Sequence, residues 1–536
     1  MRPPHRYHLR TSDPFSRRRP SPSEHGPPAP PTRELVTKIL LNGQTVEADP
    51  KKPLIAACHE HGASVPHYCY HPGLKAVGSC RICQVEVKQG EMPPRIVVAC
   101  RTPVAEGMIV NTEAGKAHDA RRECLEFLLK NHPLDCPICD KAGECDLQDY
   151  AFAENQGEGR TVEPRRKLEK RKSLGDVIVL DEERCILCSR CVRFMEEVPK
   201  TPQLAVVGLG SRSTIATFMD RPLKGNYQGN LADVCPVGAL TLKKFRFQAR
   251  VWNLRKSLST CAECSRGCSI TVEVLRGKDV KRFRPRYNDK VNKWWMCDRG
   301  RFALERHVDV ATGTTAGARI AGALVRGQGA QGLEPVESEL GVAIAADMLV
   351  AHEARTVIAS PFLTQEEAEV LLRVARALGT TPVFVSPAGD GLADALLHTG
   401  DPCPNRRGLT ELGFGAASAA DCAARLAASQ VALVVGERAG ELLAAELAAL
   451  GASQRVALFD ARALDAVAVK LQVGVPTHVE KSGTWINVDG HAGRLTIARA
   501  APAGTRALTH SLQQLDTLLA AAAAGSATTA PAGGAR

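Results

Sequence analysis

Fifteen of the chain's nineteen cysteines, with one histidine, form groups at metal-ligand spacing between positions 69 and 297. They fall into four sets of four. The first is Cys69, Cys80, Cys83 and Cys100; the second is His132, Cys136, Cys139 and Cys145. The third is Cys185, Cys188, Cys191 and Cys235; the fourth is Cys261, Cys264, Cys268 and Cys297. Thiolate is the ligand that selects iron–sulfur clusters or zinc. Four such sets in one stretch of chain imply a row of redox centres, and an electron conduit is the leading reading.

The spacings separate the sets. Cys185-x2-Cys188-x2-Cys191, completed by the remote Cys235-Pro236, is the bacterial ferredoxin pattern. Zinc sites rarely use this triplet. No fourth cysteine follows it and no second triplet occurs, so it accounts for one [4Fe–4S] cluster. Cys69-x10-Cys80-x2-Cys83-x16-Cys100 departs from the plant-type spacing. Its reading as a [2Fe–2S] site, against zinc, rests on the fold predicted around it. Cys69-x-His71 resembles half of a Rieske motif, but Cys80-x2-Cys83 carries no histidine, and that excludes it. His132-x3-Cys136-x2-Cys139-x5-Cys145 fits a [4Fe–4S] cluster with one imidazole ligand, and on spacing alone fits a Cys3His zinc site nearly as well. A neutral imidazole in place of a thiolate makes a cluster less negative and raises its potential. Cys261-x2-Cys264-x3-Cys268-x28-Cys297 is balanced between a zinc ribbon and [4Fe–4S]. Its position just before an α/β region, as in molybdopterin-dependent oxidoreductases, tilts the choice to iron–sulfur. Cys58, Cys124, Cys403 and Cys422 have no partners at ligand spacing and read as core or surface thiols, with Cys403 as a molybdenum ligand only a minor alternative. There is no P-loop, no dinucleotide fingerprint and no nucleophile–base pair.

The elements that must position these ligands follow from local patterning. Residues 37–49 read as two strands around Asn42-Gly43, a strong hairpin signal. Residues 53–62 read as a helix ending at Gly62, followed by a cysteine-bearing loop, a strand at 82–88 and another leading to Cys100. That is a β-grasp ferredoxin pattern over 36–114. A helix at 116–131 introduces the second set, whose domain is 115–156. The polar, basic stretch 157–175 reads as a linker within the third domain, 157–250. The fourth domain, 251–307, has strands at 269–275 and 280–284. From 308 to 520 apolar strands alternate with Ala/Leu-rich helices (356–359, 366–378, 382–386; 431–436, 441–450, 455–460), which predicts parallel α/β architecture. The fold class is therefore multidomain α+β and α/β. Residues 521–536 read as a loose tail.

Bulk composition limits the alternatives. At 536 residues the chain is too long for one domain. Its net charge of +11 is uneven, because residues 1–35 carry seven Arg against three acids. That stretch also holds nine of the 33 prolines and lacks an apolar signal core, so it reads as a disordered tail, with a transit peptide or a mis-assigned start as alternatives. No basic patch is interleaved with aromatics, which argues against nucleic acid. No apolar run reaches the 18 or so residues of a membrane span. Paired CxxC spacings without a secretory signal favour metal sites over disulfides.

Four segments carry a resemblance. They are Tyr68-Cys69-Tyr70-His71-Pro72-Gly73-Leu74; Asn131-His132-Pro133-Leu134-Asp135-Cys136-Pro137-Ile138-Cys139-Asp140; Arg184-Cys185-Ile186-Leu187-Cys188-Ser189-Arg190-Cys191-Val192-Arg193-Phe194; and Asp233-Val234-Cys235-Pro236-Val237-Gly238-Ala239-Leu240. They resemble the family of large iron–sulfur subunits of bacterial NADH-quinone oxidoreductase, respiratory complex I. The likeness is dense over 36–305 and weaker beyond, where Glu480-Lys481-Ser482-Gly483-Thr484-Trp485-Ile486-Asn487 looks like the family's molybdopterin-type segment.

The resemblance implies a [2Fe–2S] cluster on the first set and [4Fe–4S] clusters on the other three. The fourth matches an extra cluster of some bacterial members, thought to lie off the main path. It further implies an electron relay from an NADH/flavin subunit towards quinone, with proton translocation by the whole complex. Partners would be the flavin subunit and other hydrophilic-arm subunits, on the cytoplasmic face of the inner membrane, with membrane contact only through them. The C-terminal domain would be a shortened molybdopterin-oxidoreductase-like domain without molybdenum cofactor, and this chain would carry no flavin or quinone site. The rivals are an electron-transfer subunit of an NAD-linked hydrogenase or formate dehydrogenase and, from another class, a zinc-stapled binding scaffold.

Overall fold

A computed structural model describes residues 36–307, 311–327 and 332–527, with side chains through 524. The expectations for residues 1–35 and for 528–536 lie outside the described residues.

The expected hairpin forms: Thr37–Leu41 pairs antiparallel with Gln44–Ala48, and Asn42 and Gly43 both take positive φ at the turn. Thr37–Leu41 also pairs in parallel with Ile109–Asn111, which continues through Gln84–Lys88 to Arg95–Val98. This mixed five-stranded sheet grips the helix Leu54–Glu60. Its inward positions Ile39, Leu41, Val85, Val87 and Val110 pack with Leu54, Ile55 and Cys58, so the Cys58 thiol is core. The helix Gly115–Asn131 then runs to His132. A 3-10 turn at Cys136–Ile138 and the helix Asp146–Ala153 hold the second set. The helix Arg190–Glu197 is the central element of the third domain, beside a three-stranded sheet of Lys172–Ser173, Ile178–Leu180 and Leu240–Leu242. The fourth domain is the meander Leu254–Thr260, Ser269–Leu275, Asp279–Pro285 with the helix Asp298–Phe302.

The C-terminal region is an α/β layer around an eight-stranded sheet. Arg355–Ala359, Val383–Val385 and Gly415–Ala417 progress to one side. Val431–Val435 then returns beside Arg355–Ala359, and Arg455–Asp460 and Val469–Gly474 progress to the other side, all in parallel. Reversal of direction between Arg355–Ala359 and Val431–Val435 creates a topological switch point. Two antiparallel strands, Ala323–Arg326 and Leu333–Val336, extend the far edge.

Two expectations are corrected. The helix expected over 441–450 is two short helices, Ala439–Leu442 and Ala444–Ala448, with a non-helical break at Leu443. Residues 521–527 are not a loose tail: they continue the helix Leu508–Ala527. Leu512, Leu515 and Leu519 bury against the core, and the alanines that follow are the strongest helix formers, so the helix propagates past its buried turns.

Glu480 is the buried ionic tie of this domain. Its carboxylate accepts from Arg319 at 3.2 and 2.8 Å and from Arg499 at 3.0 Å, and from the Thr477 N–H at 2.9 Å. Glu480→Ala leaves two guanidiniums without this partner. It should destabilise the C-terminal domain by about 3–5 kcal/mol, read as a lowered denaturant midpoint at unchanged slope.

Candidate metal centres

Each set is held by loops whose backbone is shaped for sulfur. In the first set Cys69, Cys83 and Cys100 are fully buried and Cys80 partly so. The Cys69 N–H points at the Cys80 sulfur, 3.4 Å away. The thiols touch one another: hydrogen bonds from Cys100 and then Cys80 draw Cys69 far below the ordinary thiol range, and the bond from Cys100 lowers Cys83. Cys100 and Cys80 are pushed up as the donors. The four thiols of this set therefore lie close together, linked by these hydrogen bonds. His71, by contrast, faces away: its Nδ1 accepts from the Gly73 N–H at 3.1 Å, and its ring stacks on Trp295 at 5.2 Å.

The second set lies where the long helix ends. His132, Cys136 and Cys145 line one cavity, and Cys139 is electrostatically coupled to Cys136 and Cys145. Burial, then the charge of Arg184, lowers the imidazole of His132 to about 4. It is neutral at pH 7, the state in which imidazole coordinates metal. Arg184 is anchored by Asp135 at 2.9 Å and Asp181 at 3.2 Å. Gly238, from the Cys-Pro-Val-Gly segment of the third set, lies against Cys139: a Cβ there would sit 2.2 Å from its sulfur.

The third set is the most enclosed. Cys185, Cys188, Cys191 and Cys235 line a single small cavity with Leu180, Ile186, Ile215, Val237, Ala239 and Leu240. Leu187 and Ser189 both take left-handed backbone, φ 52° and 58°, between the three cysteines. Two non-glycine residues in that region are strained, and such strain collects at functional sites. It wraps the loop so that the Leu187 N–H reaches the Cys185 sulfur at 3.4 Å. Burial raises Cys185 to about 12 and Cys188 to about 11, so metal binding here must displace protons.

In the fourth set Cys261, Cys264, Cys268 and Cys297 are all buried. The two ends of a hairpin bring Cys261 and Cys268 together, joined by the Cys261 N–H to the Cys268 carbonyl at 2.8 Å. The Gly300 N–H donates to Cys297 sulfur at 3.3 Å, and a Cβ at Gly300 would lie 2.7 Å from Cys261 sulfur. Burial raises the Cys264 thiol, and the backbone and side chain of Thr399, from the C-terminal domain, oppose it; Thr399 Oγ1 lies 2.9 Å from Ser265 Oγ. Burial raises Cys297 to about 12.

The four cysteines of the third set thus line one cavity, three members of the second set share another, and the backbone joins Cys261 to Cys268 in the fourth. Among the described residues, no three His, Cys, Asp or Glu side chains gather as a single metal ion would need. Of the remaining cysteines, Cys403 and Cys422 are fully buried and Cys124 half-buried. Spacing alone does not reveal the groups around the sulfurs: Gly238, Gly300, Thr399, Arg184, Arg190 and Arg193. Gly238 carried a signal, following Cys235-Pro236 within three residues. Thr399 carried none, because it comes from another domain.

Comparison with known proteins follows the same division. A family described as 2Fe-2S iron-sulfur cluster binding domain matches residues 36–115. The NADH-ubiquinone oxidoreductase-G iron-sulfur binding region matches 121–160. The ferredoxin-like domain of NADH-quinone oxidoreductase subunit 3 matches 175–241, and the molybdopterin oxidoreductase Fe4S4 domain 254–309. The mitochondrial NADH-ubiquinone oxidoreductase 78 kDa subunit of Neurospora crassa is 42% identical over 275 residues, 51% of this chain and 36% of that one. The G-type subunit of NADH-quinone oxidoreductase from Rickettsia bellii is 38% identical over 268 residues, 50% of this chain and 39% of that one. The match thus spans well under half the length of these curated relatives. A solved NAD+-reducing [NiFe]-hydrogenase superposes with a TM-score of 0.36 and 28% identity, covering 40% of this chain and 91% of that one. With the ferredoxin-like, His/Cys and Fe4S4 regions matched in order, the N-terminal half of this chain is homologous to the iron–sulfur region of the G-type subunits of NADH-quinone oxidoreductase.

Proposed function

We propose that this chain is the iron–sulfur electron-relay subunit of an NADH-quinone oxidoreductase. In this reading Cys69, Cys80, Cys83 and Cys100 hold a [2Fe–2S] cluster. His132 with Cys136, Cys139 and Cys145, Cys185 with Cys188, Cys191 and Cys235, and Cys261 with Cys264, Cys268 and Cys297 each hold a [4Fe–4S] cluster. When bound, such clusters supply one-electron carriers whose potentials follow ligand type, burial and hydrogen bonds to sulfur. The observation that carries the reading is the third set: four cysteines around one apolar cavity, on strained backbone, with an N–H aimed at sulfur.

The chain's own residues exclude water and fix the ligands. Leu180, Ile215, Val237 and Leu240 keep the third cavity dry. Gly238 and Gly300 leave room where a side chain would displace sulfur. Electrons would enter from an NADH/flavin partner and leave towards quinone through another subunit. Leu134 and Phe152, each about 80% exposed, line the second site's cavity beside Cys136, with exposed Ile138 next along the chain. Such an apolar patch fits coverage by a partner subunit. No helix among the described residues is long and apolar enough to cross a membrane, which fits a peripheral place on the cytoplasmic face, reached through partners.

The C-terminal domain is read as a molybdopterin-oxidoreductase-like scaffold without its cofactor. Ligands of doubly wound sheets bind at the carboxyl ends of the strands, at the switch point. Here that crevice is filled by the chain. Glu437, following Val431–Val435, accepts from the His478 N–H at 2.7 Å and lies 3.1 Å from its Nδ1. Lys481 donates to the Phe362 carbonyl at 3.0 Å and to Glu367 at 2.8 Å, and Trp485 to the Leu363 carbonyl at 3.0 Å.

The primary test is metal analysis of anaerobically purified full-length protein with EPR after dithionite reduction. The expected result is roughly 14 Fe with matching sulfide, 2 + 4 + 4 + 4, and no molybdenum. About four zinc and no EPR signal would establish the zinc scaffold instead. His132→Cys should keep its iron and lower the potential of the second site alone, seen in an EPR-monitored redox titration, because a thiolate adds negative charge. Gly238→Ala should displace Cys139 and remove about four Fe per chain, while the EPR signal of the third site persists.

A further inference from the structure

Arg193 is a buried cation without a buried acid. It lies on the helix Arg190–Glu197 with 7% of its surface exposed. Its Nη2 donates to the carbonyl of Cys69 and, at 3.5 Å, to the carbonyl of Cys188. Its Nη1 donates to the Lys75 carbonyl, and its Nε lies 3.3 Å from Ser189 Oγ. Among the described residues no carboxylate lies within ion-pair distance of it, whereas the other buried arginines Arg121, Arg184, Arg282, Arg301 and Arg319 each have one. Its neighbour Arg190 has only Asp146, at 3.7 Å, and also spends itself on carbonyls: Tyr70 at 2.6 Å, Val234 at 3.3 Å and His67 at 3.4 Å.

A buried charge is costly unless it is compensated. Carbonyl dipoles satisfy the N–H groups of Arg193 but supply no net negative charge. The nearest candidates for that charge are two ligand sets, since one nitrogen of Arg193 bonds the backbone of a first-set cysteine and of a third-set cysteine at once. A thiolate-ligated iron–sulfur cluster is an anion, and reduction adds a further negative charge. A fixed cation between two such sites favours the reduced form of both.

We propose that Arg193 is the shared counter-cation of the first and third sites: it holds the two ligand loops in register and raises the potentials of the groups bound at both. This rests on the cluster assignment above. Arg193 is a positioning residue: its hydrogen bonds go to backbone carbonyls and to Ser189, and it transfers nothing.

The test compares full-length wild type, Arg193→Met and Arg193→Lys by iron and sulfide content and EPR-monitored redox titration. A wild type without iron and sulfide would refute the cluster assignment itself, before any variant is compared. With clusters present, Arg193→Met should make reduction of the first and third sites each about tenfold less favourable, about 59 mV for a one-electron step. The second and fourth sites should not move. Arg193→Lys, which keeps the charge, should recover most of the shift. If Arg193→Met instead loses metal, the loss should be confined to the first and third sites and be restored by Arg193→Lys. Unchanged potentials, a shift at only one of the two sites, an equal shift at all four, or metal loss that Lys does not restore would each overturn the proposal.

Discussion

Irregular backbone that is buried must still satisfy its polar groups, and this requirement shapes the whole cysteine-rich half. Ligand loops cannot use a helix or a sheet ladder, because their residues must converge on sulfur. Long cationic and amide side chains do the work instead. Arg190 and Arg193 bond the carbonyls of His67, Tyr70, Cys69, Lys75, Cys188 and Val234. Arg250 bonds those of Cys139 and Pro137. The amide of Asn292 bonds the carbonyls of Ser269, Arg286 and Trp295, and the amide of Asn230 that of Met296. These bonds rigidify loops that have little regular structure. They also place positive charge beside the cysteine sets.

The same chemistry fastens the small domains to one another. Arg282 lies between Glu144, at 2.9 Å, and Glu273, at 2.6 Å, so it joins the second set's loop to the fourth domain's sheet. Arg284 shares Glu144 and reaches Asp233, which Arg301 holds at 2.6 Å. Asp298 closes the chain by accepting from the N–H groups of Gln228 and Gly229 at 2.7 and 2.8 Å. Burial raises the Asp298 carboxyl, and Arg301 and those N–H bonds oppose it. Second, third and fourth domains are thus joined through one ionic path, which keeps the ligand sets at fixed separation. Breaking any one link leaves a desolvated charge, so the path resists partial opening.

The C-terminal sheet reaches back to the same end. Segment 394–401 supplies Asp394 to Tyr227 at 2.6 Å, the Asp401 carbonyl to Ser265 N–H at 2.9 Å, and the Thr399 hydroxyl to Ser265 Oγ at 2.9 Å. The Leu397 carbonyl takes the Arg266 Nε–H, and the Asn487 amide donates to the Arg266 carbonyl at 3.1 Å. A doubly wound domain with its switch-point crevice packed by its own chain is a cover for the fourth ligand set.

The sequence by itself determined which residues could ligate and how they group, because spacings such as x2 and x3 fix which cysteines one loop can present. It also determined the hairpin at Asn42-Gly43, the helix ending at His132 and the parallel α/β units, since each has a local pattern: positive φ at a turn, a proline stop, apolar runs bounded by helices. Helix ends were less legible. The break at Leu443 and the continuation to Ala527 depend on what packs against those turns. Only the tertiary structure decided the surroundings of the sulfurs. Gly238 touches Cys139 from 99 positions away, Thr399 bonds Ser265, next to Cys264, across two domains, and Arg193 joins Cys69 to Cys188. Such contacts have no periodicity in sequence; they arise when buried loops from distant segments must satisfy one another's backbone and charge.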